Sequence, residues 1–289
     1  MFQSLLSLLL ASTLSFSFVS NEAPDFDAKT LLSVSPLPVR SEELVSPGEI
    51  GADSALAIDL ETQSILYEKN SYTRLPIASL TKLMTAYIVL KQYNPSSIVT
   101  VSAHAAGTEG SRMGLSTGET ISVRILLYGL LIVSGNDAAV ALAEFNAGDE
   151  TSFIKKMNEE AKLLGLENTH YTNTTGLDSS SAYSTSHDLL MLSSHLLQDE
   201  GVREIVQHST YEVSSENGTV HKLNNTNILL GQLGIQGLKT GKTPLAGECL
   251  ITLAKTEQGH EILTVVLGSE NRFIDTKILV DWIYRAYTW

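Results

Sequence analysis

Three strand-like runs near the C-terminus, "IQGLKTG", "GECLITLAKT" and "HEILTVVLGS", constrain this chain most, because their alternation and apolar runs suit strands and not helices. The last two meet at "EQG" and so should pair antiparallel. Two further candidates lie far upstream in "SALAIDLETQSILYEKN", around a polar turn at Glu61 to Gln63. Between these groups the chain reads as mainly helical. "LPIASLTKLMTAYIVLKQY" ends near Tyr93, before "NP", and "TISVRILLYGLLIVSGNDAAVALAEFNA" is two apolar helical segments meeting at Ser134 and Gly135. "TSFIKKMNEEAKLLGL" places Phe153, Met157, Ala161 and Leu164 on one face, and a polar loop, "ENTHYTNTTGLDSSSAYSTS", leads into "HDLLMLSSHLL". "TYEVSSENGTVHKL" predicts a hairpin with Asn217 and Gly218 at a type I′ turn, and "RFIDTKILVDWIYRAYTW" a closing amphipathic helix. Strands at both ends around a helical middle imply an α/β (α+β) fold. Its antiparallel sheet is flanked by helices, with a helical subdomain inserted over about residues 100–200.

The first twenty residues, "MFQSLLSLLLASTLSFSFVS", are apolar or small, and the stretch that follows is rich in Pro, Ser and acids. This pattern predicts a signal peptide or N-terminal membrane anchor over residues 1–20 and a flexible linker over 21–50. No basic residue precedes the apolar run and no A-x-A site follows it, so the two readings stay open. Either one places the body, residues 51–289, in the cell envelope outside the cytoplasm, with membrane contact only through the N-terminal segment. A net charge of -13 repels polyanions and argues against nucleic-acid binding. The lone Cys249 reads as a small buried strand residue, and the seven histidines lack metal-ligand spacing, so no metal or other cofactor is expected.

Ser79 and Lys82 lie three apart on a predicted helix and share one face. A serine hydroxyl is a weak nucleophile until a base accepts its proton, and a lysine serves only if its pKa falls by about three units. Burial can supply much of that shift, and a second cation about 5 Å away adds roughly 3 kcal/mol at an effective dielectric near 20. This chemistry therefore calls for another lysine. Spacing alone is weak, since Ser152 and Lys155 share it; there Ser152 reads as a helix N-cap and Lys155 as a solvated side chain. A second motif, "SGND" from Ser134 to Asp137, is a polar break in an apolar run, either a capped helix–helix turn or part of a site. The third, "GLKTGKT", carries Lys239, Thr240 and Gly241 on a strand, with Lys239 and Gly241 on one face and Thr240 on the other. Its plain alternative is a charged edge strand with a turn glycine.

In the order S-x-x-K, S-x-N, K-T-G, these motifs form the known signature of penicillin-binding proteins and class A β-lactamases. "DLETQSILYEKN", "PIASLTKLMTA", "GSRMGLSTGE", "LLIVSGNDAAVALAE", "NTTGLD" and "AGECL" extend the likeness. From about Ala52 to its end the chain resembles the serine D-alanyl-D-alanine carboxypeptidases, the low-molecular-mass penicillin-binding proteins of peptidase family S11. That resemblance implies a serine β-lactamase/penicillin-binding-protein-like fold. It also implies removal of the terminal D-alanine from peptidoglycan stem pentapeptides through an acyl-enzyme on Ser79, with β-lactam antibiotics as covalent inhibitors.

By the same resemblance Lys82 accepts the serine proton, Ser134 relays it to the leaving amine, and Asn136 holds Lys82 and the substrate amide. Lys239, Thr240 and Gly241 bind substrate, and the backbone N–H groups of Ser79 and Lys242 form the oxyanion hole. The alternatives are a class A-like β-lactamase or a non-catalytic peptidoglycan-binding relative. "NTTGLDSSSAYSTSHDLL" offers no glutamate for deacylation, and retention of every polar motif residue disfavours the second. Two departures from the family stand out. No β-rich C-terminal domain is expected after "DWIYRAYTW", and Thr226 stands in "NTNILL" near where some relatives carry an arginine for the substrate carboxylate.

Overall fold

A computed structural model describes residues 36–43 and 46–289 of the chain. The predicted export segment and most of the linker fall outside the described residues. In chain order the elements are β1 (Val39–Arg40), β2 (Ser54–Asp59), β3 (Ile65–Lys69), α1 (Lys82–Gln92), β4 (Ile98–Thr100), α2 (Ala103–Ala106) and β5 (Thr120–Ser122). Then come α3 (Val123–Leu131), α4 (Asn136–Ala147), α5 (Glu150–Leu163), α6 (Ser186–Leu196), α7 (Glu200–Val206), β6 (Thr210–Ser214) and β7 (Val220–Asn224). The chain closes with β8 (Ile235–Thr243), β9 (Gly247–Lys255), β10 (Glu261–Ser269), α8 (Arg272–Ala286) and β11 (Tyr287–Thr288).

Both chain ends build one antiparallel sheet of five strands in the order β3-β2-β10-β9-β8. Strand alternation divides its side chains between two cores. Ala55 and Ala57 of β2 and Ile262 and Val266 of β10 pack beneath Leu279, Trp282 and Ile283 of α8. Leu56, Ile58, Leu263, Val265 and Leu267 point the other way, into a larger core shared with α1, α3, α4 and α6. Small alanines on β2 let α8 lie close, while the branched residues opposite fill the space under several helices. Helix α1 runs through that larger core with Lys82 to Ala86, Ile88 and Val89 all buried, so the helix that begins beside Ser79 is sealed along most of its surface.

Four local readings change. Thr120–Ser122, read as helix, pairs with β4 as β5, and Ser122 then caps α3 by accepting from Ile125 N at 3.3 Å. Asp149, not Ser152, caps α5; its carboxylate accepts from both N and Oγ of Ser152 at 2.8 Å. The β6–β7 turn is not type I′, since Gly218 alone takes a positive φ, +82°, and Gly218 N closes a four-residue turn onto Ser215 O. Asn217 instead spends its side-chain oxygen on Thr120 N and Oγ1, at 2.6 and 2.7 Å. Finally, part of the predicted linker is structured: β1 pairs with β11, and Trp289, just after β11, donates its ring N–H to Asp59 Oδ2 at 2.6 Å.

Leu263 sits in mid-sheet opposite Leu253 and Ile58 with no exposed surface. Truncating Leu263→Ala should cost about 2–5 kcal/mol of stability, read as a lower midpoint in urea unfolding at unchanged slope. A midpoint equal to the parent's would mean that this layer is not the core.

Candidate active site

Ser79 lies in a 3-10 turn, Ala78–Thr81, that runs straight into α1. Ala78 enters the turn at φ +48°, a left-handed conformation that costs a residue with a Cβ energy and persists only when its surroundings enforce it. Two glycines do so. A Cβ on Gly176 (φ +81°) would overlap Ala78 O, and one on Gly241 would stand 3.0 Å from Ile77 O and 3.1 Å from Ser79 N. The "NTTGLD" loop and β8 therefore close on the Ser79 peptide from separate directions; a side chain is barred at Gly176 and would be tight at Gly241.

Lys82 is the first residue of α1 and wholly buried. Its Nζ donates to Ser79 Oγ at 2.9 Å and also to Thr175 O. That carbonyl is presented by a turn in which Asn173 Oδ1 accepts from Thr175 N and Gly176 N, at 3.2 and 2.6 Å. Burial drives the Lys82 pKa well below the lysine range, the charge of Lys239 lowers it further, and Asp137 opposes both. Lys239, also buried, titrates at about 7 through burial and then the Arg272 guanidinium. Sequence reasoning asked for a second cation beside Lys82, and β8 supplies it.

Ser134 turns the chain between α3 and α4 at φ +61°. Its Oγ is buried with no hydrogen-bond partner among the described residues, and Gly135, not Ser134 or Asn136, occupies the N-cap of α4. Neither capping role applies, so an unspent hydroxyl remains in the interior. Asn136 directs its Nδ2 to Glu109 O at 2.6 Å and not to Lys82, whose partners are Ser79 and Thr175. On β8, Lys239 Nζ donates to Thr240 O at 3.0 Å, and Thr240 Oγ1 lies 2.6 Å from Thr226 Oγ1. Lys242 turns its side chain outward onto Glu248 at 2.7 Å, and its backbone follows Gly241 beside the Ser79 peptide.

Three participants escaped the sequence reading. Thr175 acts through a carbonyl, which no side-chain pattern reveals. Asp137 was quoted in "SGND" without a role; it accepts from the N–H groups of Met113, Gly114 and Leu115 at 3.0, 2.9 and 3.1 Å. Arg272, at the start of α8, donates from Nη1 to Gly241 O at 2.9 Å, while its Nε is buried without a partner. Its signal was faint, one basic residue after the last strand. A separate cleft of about 650 Å³, lined among others by Leu233, Tyr284 and Trp289, shares no residue with this site. No cluster of three His, Cys, Asp or Glu side chains able to hold a metal occurs among the described residues.

The arrangement joins a serine hydroxyl, an amine whose pKa burial lowers, an unspent hydroxyl and a second buried lysine on β8. Its lysines leave a thermodynamic mark. Above pH about 7 the folded state releases the Lys239 proton that the unfolded chain keeps up to about 10.5, so stability rises with pH across that window. Relative to Lys239→Met, the parent should gain about 1 kcal/mol per pH unit there, measured by urea unfolding at several pH values. Parallel curves for the two proteins would show that Lys239 is not held neutral by the fold.

Comparison with known proteins agrees with the geometry. The family profile described as D-alanyl-D-alanine carboxypeptidase matches residues 41–271. The chain is 38% identical over 247 residues to D-alanyl-D-alanine carboxypeptidase DacF of Bacillus subtilis, covering 82% of this chain and 63% of that protein. It is 31% identical to DacA of Escherichia coli K12, over 97% of this chain and 70% of the relative. The chain thus spans under two thirds of the Bacillus protein's length. The crystal structure of the Streptomyces K15 DD-transpeptidase superposes with a TM-score of 0.78 at 32% identity, covering 83% of this chain and 100% of that one. Sequence likeness, shared fold and the disposition of Ser79, Lys82 and Lys239 lead to one assignment: the chain belongs to the D-alanyl-D-alanine carboxypeptidase family of serine peptidases.

Proposed function

We propose that this protein removes the terminal D-alanine from peptidoglycan stem pentapeptides through an acyl-enzyme on Ser79, and that penicillins acylate the same serine. The observation that carries the reading is the 2.9 Å hydrogen bond between Ser79 Oγ and the Lys82 amine, whose pKa burial drives well below the lysine range. A neutral amine at that distance can accept the hydroxyl proton as Oγ attacks the carbonyl between the two D-alanines. The oxyanion falls between the N–H groups of Ser79 and Lys242; losing one such donor typically costs 10²- to 10³-fold in rate. Ser134 then passes the proton from Lys82 to the departing amine, a task for which its unpaired hydroxyl is free. Water attacks the ester, Lys82 taking its proton, and Ser79 is restored.

Substrate recognition follows from charge and strand geometry. The peptide adds to the open side of β8, and its terminal carboxylate meets Lys239 and Thr240. Thr226 offers a hydroxyl where some relatives carry an arginine, and Arg272, reaching Gly241 O from α8, adds positive charge at that end. Asn136, already bonded to Glu109 O through Nδ2, has its side-chain oxygen left for the substrate amide. Export by the N-terminal segment would bring the domain to this substrate; no helix among the described residues is long and apolar enough to cross a membrane.

Fast β-lactam hydrolysis has no support in the site. Among the described residues no carboxylate hydrogen-bonds Ser79 or Lys82, and Asp178 and Glu150 near the "NTTGLD" loop are engaged by Leu245 N and Thr174. The acyl-enzyme should therefore persist with penicillin, and nitrocefin should turn over slowly. Mass spectrometry of a pentapeptide digest should show loss of one alanine with the parent and none with Ser79→Ala, which should also fail to take up labelled penicillin. Lys82→Ala should lower the acylation rate by about 10²- to 10⁴-fold. Identical digests for parent and Ser79→Ala would end this reading.

A further inference from the structure

Residues 109–119 hold none of the three catalytic-signature motifs, yet this segment is gripped from two sides. On one side Asn136 bonds Glu109 O through Nδ2 and Ser111 O through its backbone N, both at 2.6 Å, and Asp137 accepts from Met113, Gly114 and Leu115. The approach is close enough that a Cβ on Gly110 would stand 2.6 Å from Asn136 Nδ2. On the other side His221 reaches in from β7. Its Nδ1 lies 3.2 Å from Met113 O and its Nε2 2.6 Å from Glu119 Oε1, with the His221 and Glu119 side chains only 3% and 2% exposed.

A carbonyl only accepts, so Nδ1 must carry a proton. Burial pushes the Glu119 carboxyl up, but hydrogen bonds from His221, Ser116 N and Ser215 outweigh it and hold the group below its usual range. The ring therefore bridges two acceptors, Met113 O through Nδ1 and the Glu119 carboxylate through Nε2. A buried pair of ionisable side chains is weak as a source of stability, because desolvation offsets most of its attraction. Its position suggests another use. Met113 accepts from His221 through its carbonyl and donates through its N–H to Asp137, the residue next to Asn136.

We propose that His221 and Glu119 form a clamp, out of reach of substrate, that holds residues 109–115 against α4 and so fixes the Asn136 amide for acylation. Both are positioning residues. The role rests on the acyl-enzyme reading above, but the clamp itself can be tested separately. Glu119→Gln keeps shape and a hydrogen bond while removing the anion; His221→Phe with Glu119→Leu replaces the pair by apolar groups of similar volume, a change that often preserves stability.

Acylation by a fluorescent penicillin should slow about 10- to 100-fold in both variants, since small misplacements around a reacting centre reach that size. Noncovalent penicillin affinity should fall by less than the acylation rate, because Lys239 and Thr240 keep their places. The double variant is the decisive one: its thermal midpoint should approach the parent's while its acylation rate stays low, and the Asn136 side-chain amide signals should move and exchange faster with solvent. A double variant that acylates at the parent rate with unmoved Asn136 signals would overturn the clamp, leaving the pair a matter of packing. If the parent takes up no penicillin, the acyl-enzyme reading fails, and the Asn136 amide still decides the clamp: unmoved signals reject it, and faster exchange upholds the hold on Asn136.

Discussion

Everything in this molecule that bears on chemistry depends on hiding the Lys82 amine from water. An ammonium in solvent cannot take a proton from serine, and stripping that solvent away costs several kcal/mol per charged group. The fold meets the cost by distributing it. Core helices close over α1, the Thr175 carbonyl gives the amine an acceptor, and the charge of Lys239 makes protonation less favourable still. The left-handed Ala78, the two glycines pressed on the Ser79 peptide and the orphaned Ser134 hydroxyl are local departures from comfortable geometry that this arrangement requires. Such departures gather where a site is held in place by surrounding structure and not by its own preferences.

Much of this was legible in the sequence because it rests on periodicity. The five-stranded sheet, its terminal helix and the helical middle follow from alternation of two and of 3.6, and the two lysines follow from asking what a serine base must be. The losses were local and physical. Thr120–Ser122 looked helical because Ile121 continues an apolar pattern, and only the partner strand at Ile98–Thr100 decides otherwise. Ser152 looked like a cap, although Asp149, three residues earlier, is the stronger acceptor for the same N–H. Asn217 suggested a type I′ turn because Asn–Gly so often makes one; a long-range bond to Thr120 drew the asparagine away.

Within the site, side chains announced by motif were found together, whereas contributions from backbone and distant sequence were not. Thr175 offers only a carbonyl, and Arg272 reaches β8 from beyond the next two strands. Asp137 shows the limit of reading a motif by its first letters. Its carboxylate organises a neighbouring segment, and that organisation stays invisible until three N–H groups converge on it. A pattern tells which atoms could react, while the folded chain tells which atoms keep them still.

The order β3-β2-β10-β9-β8 leaves the outer side of β8 without a strand partner among the described residues. An open edge invites any extended chain, including another copy of the same protein. Lys239 and Lys242 lie on this strand, and the Ser79 turn crowds its inner face at Gly241. The backbone edge of β8 is thereby flanked by Lys239 and Lys242 on the strand and by the Ser79 turn at Gly241. Lysines on an edge strand and a turn packed against it also hinder sheet-to-sheet polymerisation through that edge.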